Sequence, residues 1–114
     1  MAITQVFAGI GAADFDSALR WYERFVGRPP DLVPREGDAA WQLSETGWIY
    51  VVDDPPRAGT GLLTLLVDDL ERYVAELADR GIDAGEIETV PGVVRRAVIA
   101  DPDGNRITVG EPLG

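Results

Sequence analysis

DFDSALRWYERFVG, residues 14–27, reads as one amphipathic helix with both of its ends specified. Phe15, Leu19, Tyr22 and Val26 recur at spacings of four, three and four, which places them on one helical face. Asp14 stands where a side chain can cap the first turn, and Gly27 where a left-handed residue can end the last one. Pro29 and Pro30 then block any continuation. The same pattern returns at DDLERYVAELADRG, residues 68–81. Leu70, Val74 and Leu77 share a face, Asp68 and Glu71 have the spacing of a capping box, and Gly81 is the stop. At an offset of 55, Phe7 aligns with Leu62, Asp14 with Asp69, Phe15 with Leu70 and Leu19 with Val74. A repeat of this kind governs the fold.

The flanks of both helices are β-prone. ITQVFAGI at 3–10 precedes the first helix. Short strands are expected around 31–34, at 39–44 and at 48–53, the last two joined by Glu45-Thr46-Gly47 with Gly47 at positive φ. DDPPRAGTG at 53–61 is rich in Pro and Gly and reads as a linker. GLLTLLV at 61–67 opens the second half, and strands follow its helix around 85–90, 93–100 and 105–110. The chain is therefore β-α-β-β-β, linker, β-α-β-β-β, an α+β protein expected as a single domain over 1–114. Its first module is set at 1–54, the linker at 55–61 and the second module at 62–114. A ferredoxin-like α+β arrangement is the alternative, because it also uses two units with one helix each.

Composition removes several functions. The chain has 114 residues and neither cysteine nor histidine. That excludes disulfides, thiolate nucleophiles, histidine general bases and histidine-ligated metals. Any metal would rest on carboxylates and amides. The net charge of −10 leaves no basic face for nucleic acid and suits a soluble surface or a cationic ligand. No apolar run is long enough to span a membrane. The N-terminus has no basic region followed by an apolar one, so a cytoplasmic location is expected.

Three segments together, DFDSALRWYERFVG, LLTLLVDDLERYVAELADRGI and IADPDGNRITV, resemble the vicinal oxygen chelate superfamily. That group includes glyoxalase I, extradiol dioxygenases, fosfomycin-modifying enzymes and bleomycin-resistance proteins. Alone, Asp101-Pro102-Asp103-Gly104 signals only a turn; in this order and spacing it is a specific feature. The resemblance implies two tandem βαβββ modules whose mixed sheet curls around a cleft. In metal-dependent members, ligands stand on the first and last strands of each module. Those positions map here to Phe7, Leu62 and Thr108, with Val51 as the fourth, counted from Gly47 as Thr108 is from Gly104. None of these residues binds a metal well, so the metal-dependent chemistry is not expected, and neither a metal nor another cofactor is.

A small-molecule cleft is expected instead, formed by Phe7, Trp41, Val51, Leu62, Thr64, Arg96, Val98 and Thr108. Trp41 is placed opposite Val51, Val98 opposite Thr108, and Ala100 opposite Arg106, with Arg96 available to an anionic ligand group. Trp21 is expected as packing, while Trp41 and Trp48 read either as core or as a stacking wall for an aromatic or cationic ligand. Bleomycin-resistance relatives imply sequestration of a ligand without metal-binding histidines. Two alternatives stand beside this reading. One is a glyoxalase-like lyase or isomerase using Glu45, Tyr50 or Glu111; the other is a structural dimerisation module with a filled cleft. The resemblance and the strand edges imply a homodimer.

Overall fold

The computed structural model describes residues 2–113. Its elements run β1 (Val6–Ala12), α1 (Phe15–Val26), β2 (Leu32–Arg35), β3 (Asp38–Gln42), β4 (Gly47–Asp53), β5 (Leu62–Leu66), α2 (Leu70–Asp79), β6 (Glu88–Val90), β7 (Val94–Ala100) and β8 (Arg106–Pro112). A short 3-10 turn, Pro55–Arg57, lies between the halves. Each half builds a four-stranded mixed sheet, ordered β1-β4-β3-β2 and β5-β8-β7-β6. In each, the first strand runs parallel to the last and the remaining pairs are antiparallel. These are two βαβββ modules of an α+β fold.

The helices start and stop for local reasons. Asp14 is extended and accepts a bond from the Ser17 N–H, satisfying a donor that the first turn leaves free. Gly27 closes α1 at φ 90°. In α2 the cap is Asp69, which accepts from the Arg72 N–H, and not Asp68. The cap is therefore one residue later than expected, and the box read at Asp68 and Glu71 does not form. Glu71 turns instead to Arg95, 2.7 Å away. The Glu111 carboxylate reaches from β8 to the Leu70 N–H, adding a second acceptor at the helix start.

The helix-facing residues of both sheets join α1 and α2 in one apolar core. Ile10, Trp41, Ile49 and Val51 come from the first sheet, Ile99, Ile107 and Val109 from the second, and Tyr22, Phe25, Leu70 and Leu77 from the helices. Each such side chain withdrawn from water contributes about 1.5–3 kcal/mol. Trp21 is buried and stacks on Phe25, as its packing role requires.

The Asp101–Asn105 turn ties the modules together. Asp101 is almost fully buried, and one of its carboxylate oxygens accepts from the N–H groups of Asp103 and Asn105, both at 2.9 Å. Its other oxygen accepts from the Asn105 amide at 2.8 Å and from the Tyr22 hydroxyl at 2.7 Å. The Asn105 amide also donates to the Gly11 carbonyl and accepts from the Gly61 N–H. A turn in the second module is thereby bonded to a helix and a strand of the first. At the other end, Arg80 of α2 donates to the carbonyls of Arg24 and Phe25, which close α1. The linker runs close beneath the turn: a Cβ on Gly59, where φ is 83°, would lie 2.7 Å from the Asp103 carbonyl oxygen.

Candidate functional site

Each sheet has one face against the helices and one open face. On the first sheet the register puts Phe7 beside Trp48 and Gln42, Gly9 beside Tyr50 and Ala40, and Gly11 beside Val52 and Asp38. Phe7 and Trp48 stack, with ring centroids 5.1 Å apart and planes 18° from parallel. The Trp48 indole N–H donates to the Gln5 amide oxygen at 2.8 Å, which helps to fix the ring. Tyr50 lies across Gly9 so closely that a Cβ there would sit 2.5 Å from Cζ of the ring. The open face of the first module is therefore an aromatic wall with a glycine floor.

On the second sheet the open-face rows are Leu62–Arg106–Ala100, Thr64–Thr108–Val98 and Leu66–Gly110–Arg96–Glu88. Large apolar side chains stand in water here: Leu62 is 81% exposed and Leu66 65%. Val98 pairs with Thr108, and Ala100 with Arg106, as read from the hairpin.

Six of the eight residues expected in the cleft stand on these open faces: Phe7, Leu62, Thr64, Arg96, Val98 and Thr108. Trp41 and Val51 do not. Both are fully buried on the helix side, and the Trp41 indole donates to the Arg28 carbonyl at 3.0 Å. Trp41 pairs with Ile49, while Val51 pairs with Ala39. The cause is the β3–β4 turn. Gly47 has no positive φ and is the first residue of β4, its carbonyl accepting from the Leu43 N–H. Gly104 sits inside the later turn, before β8 begins. Counting equally from both glycines therefore changes strand parity. Gln42 with Trp48 matches Ala100 with Arg106, so the equivalent of Thr108 is Tyr50 and not Val51.

By this register, the four positions that the resemblance assigns to metal ligands fall on Phe7, Tyr50, Leu62 and Thr108. Phe7 and Leu62 carry no donor atom, and the other two offer only neutral hydroxyls. This set does not fit a divalent metal. Among the described residues, no three carboxylates gather as an alternative. Of the side chains considered for acid–base work, Glu111 serves the start of α2, Glu45 lies in the β3–β4 turn and Tyr50 spans Gly9.

Charge on the open faces is largely neutralised in place. Arg96 pairs with Glu88 at 2.6 Å, and Arg35 with Asp38 at 3.7 Å. Arg95, beside Arg96 in sequence, bonds to Glu71, which raises its pKa above the ordinary arginine value. Arg106 is exposed beside Leu62 and has no ion-pair partner among the described residues. Its position, two residues before Thr108 on the same strand face, was the signal that could have added it to the expected site. A groove of about 550 Å³ is lined from both modules, by Ala8, Phe25, Ile49, Leu65 and Tyr73 and also by the open-face residues Trp48, Thr64 and Leu66. Burial raises the pKa of the Tyr73 phenol there.

Residues 4–109 match the family model described as the glyoxalase/bleomycin resistance protein/dioxygenase superfamily. The chain belongs to that superfamily. A glyoxalase/bleomycin resistance protein from Catenulispora acidiphila is 38% identical, with 96% of this chain and 98% of that one covered at a TM-score of 0.89. The antibiotic-binding protein TnmS3 from Streptomyces sp. CB03234 is 28% identical, with 99% of each chain covered and a TM-score of 0.75. A bleomycin-binding protein solved with bleomycin shares the fold at a TM-score of 0.77, with 22% identity over 96% of this chain and 98% of that one. No curated protein matches the sequence.

Proposed function

We propose that this chain binds a small organic molecule on its open sheet faces without a metal, as a sequestering or resistance-type protein. The observation that carries the reading is the content of the four metal-ligand positions. Phe7 and Leu62 occupy two of them, and on the first sheet Phe7 stacks with Trp48 to make an aromatic surface. Such a wall suits a flat ligand, because ring-on-ring contact adds about 0.5–1.5 kcal/mol beyond area burial. Antibiotic binding by TnmS3 and bleomycin binding by the structural neighbour support the same use of the fold. We further propose a homodimer. β1 and β5 are each hydrogen-bonded along one side only, and they expose Val6, Leu62 and Leu66 beside those free edges.

Intrinsic tryptophan fluorescence tests the binding claim. Trp21 and Trp41 are buried, so Trp48 is the reporter on the open face. Saturable quenching by members of an aromatic panel, absent in Trp48→Phe, is the expected result. An unresponsive Trp48 across the whole panel would contradict it.

A further inference from the structure

We propose that the open face of the second sheet carries an oxyanion subsite, formed by Arg106 with the Thr108 and Thr64 hydroxyls. Its ligand is an organic acid. This rests on the small-molecule reading above and names the chemical class that the site would take.

The charge distribution is the first argument. The chain has 20 acidic residues and 10 basic ones, all of the latter arginine. Arg28, Arg35, Arg57, Arg72, Arg95 and Arg96 each lie within 4.0 Å of a carboxylate. Arg20 bonds to the Ser17 hydroxyl, and Arg80 to the carbonyls ending α1. Arg106 has no carboxylate partner among the described residues, although acids outnumber bases two to one. Of the arginines without such a partner, it is the one on an open sheet face. The acids on those faces, Asp38 and Glu88, are each set against an arginine. The acids of these rows are thus neutralised in place, and the guanidinium left without a carboxylate favours an anionic ligand group.

Arg106 and Thr108 are alternate residues of β8, so they project from one face about 6.7 Å apart. Thr64 pairs with Thr108 across the parallel ladder, about 4.8 Å away. A guanidinium fork and two hydroxyls, none with a protein partner among the described residues, suit a planar carboxylate. Leu62, Leu66 and Val98 border them and offer apolar surface to the body of the acid. Such a ligand is neutral or apolar along its length and charged at one end.

Matched probes test this: 2-naphthoate against 2-naphthylmethylammonium, which share a ring system and differ in charge. By calorimetry or ligand-observed NMR, the carboxylate is expected to bind and the ammonium to bind at least about tenfold more weakly. Arg106→Gln is expected to weaken the carboxylate by about tenfold, Arg106→Lys by less, and Thr108→Val by a few-fold. Arg106 is exposed, so these variants keep the fold, which circular dichroism verifies. Equal binding of both probes, or an Arg106→Gln variant that binds naphthoate unchanged, overturns the subsite and leaves small-molecule binding intact. Failure of both probes to bind, together with a silent Trp48 across the aromatic panel, overturns both.

Discussion

Tyr22 holds a large share of the fold through one hydroxyl. It is fully buried on α1, and its partner Asp101 belongs to a turn 79 residues away. Burial, then the Asp101 charge and the hydrogen bond to it, raise the phenol pKa far above its ordinary value. In the folded state the proton is therefore kept, whereas an unfolded tyrosine loses it near pH 10. Folding stability is complete below that pH and falls as pH rises above it, by about 1.4 kcal/mol per pH unit for one proton. Tyr73, raised by burial, adds to the loss in the same direction. Tyr22→Phe is expected to cost about 1–3 kcal/mol at neutral pH and to flatten this alkaline decline. Urea denaturation at a series of pH values from 7 to 11 checks both effects, and equal slopes in the two proteins would contradict the assignment. The turn character of Asp101-Pro102-Asp103-Gly104 was legible from residue types. The bond to Tyr22 was not, because sequence alone does not bring residues 79 apart into contact.

At the scale of elements, the helices were the most legible parts. The spacing of apolar residues in 14–27 and 68–81 marked both helices, and glycines at positive φ end or immediately follow both. In α1 the buried face is Ala18, Trp21, Tyr22 and Phe25, so Phe15, Leu19 and Val26 of the expected row lie at its flank, partly buried. The α2 cap was misplaced by one residue because Asp68 and Asp69 are adjacent and either could serve. Only backbone geometry separates them. Asp69→Ala is expected to lower stability by about 1 kcal/mol, and Asp68→Ala to change it by less than about 0.5 kcal/mol. Thermal unfolding of the two variants side by side measures the difference. Hairpin register was legible where the turn had a strong signature, at Pro102–Gly104, and illegible where it had a weak one, at Leu43–Thr46. That difference explains why Val98 and Thr108 were correctly paired, while Trp41 and Val51 were set on the wrong face. A strand shifted in parity exchanges core for surface, and no local propensity marks the error.

At the scale of the molecule, the repeat was sufficient to reveal two βαβββ modules. It did not reveal how they meet. They meet through their helix sides, around a shared core, so both sheets turn an unhelixed face outward. This division sets the chemistry. The positions that the resemblance assigns to metal ligands stand on the outward faces, and here they carry a phenyl ring, an isobutyl group, a phenol and a hydroxyl. The same faces carry the stacked Phe7–Trp48 pair and Arg106, which has no carboxylate partner among the described residues. These faces bind their ligand without a metal on the reading proposed above. The most direct test is the affinity of the tightest panel ligand, measured by calorimetry before and after exhaustive chelation and again with Ni, Zn or Mn restored. An unchanged affinity throughout, with no metal-induced rise in melting temperature, is the expected result. Binding that disappears on chelation and returns with one metal would contradict it.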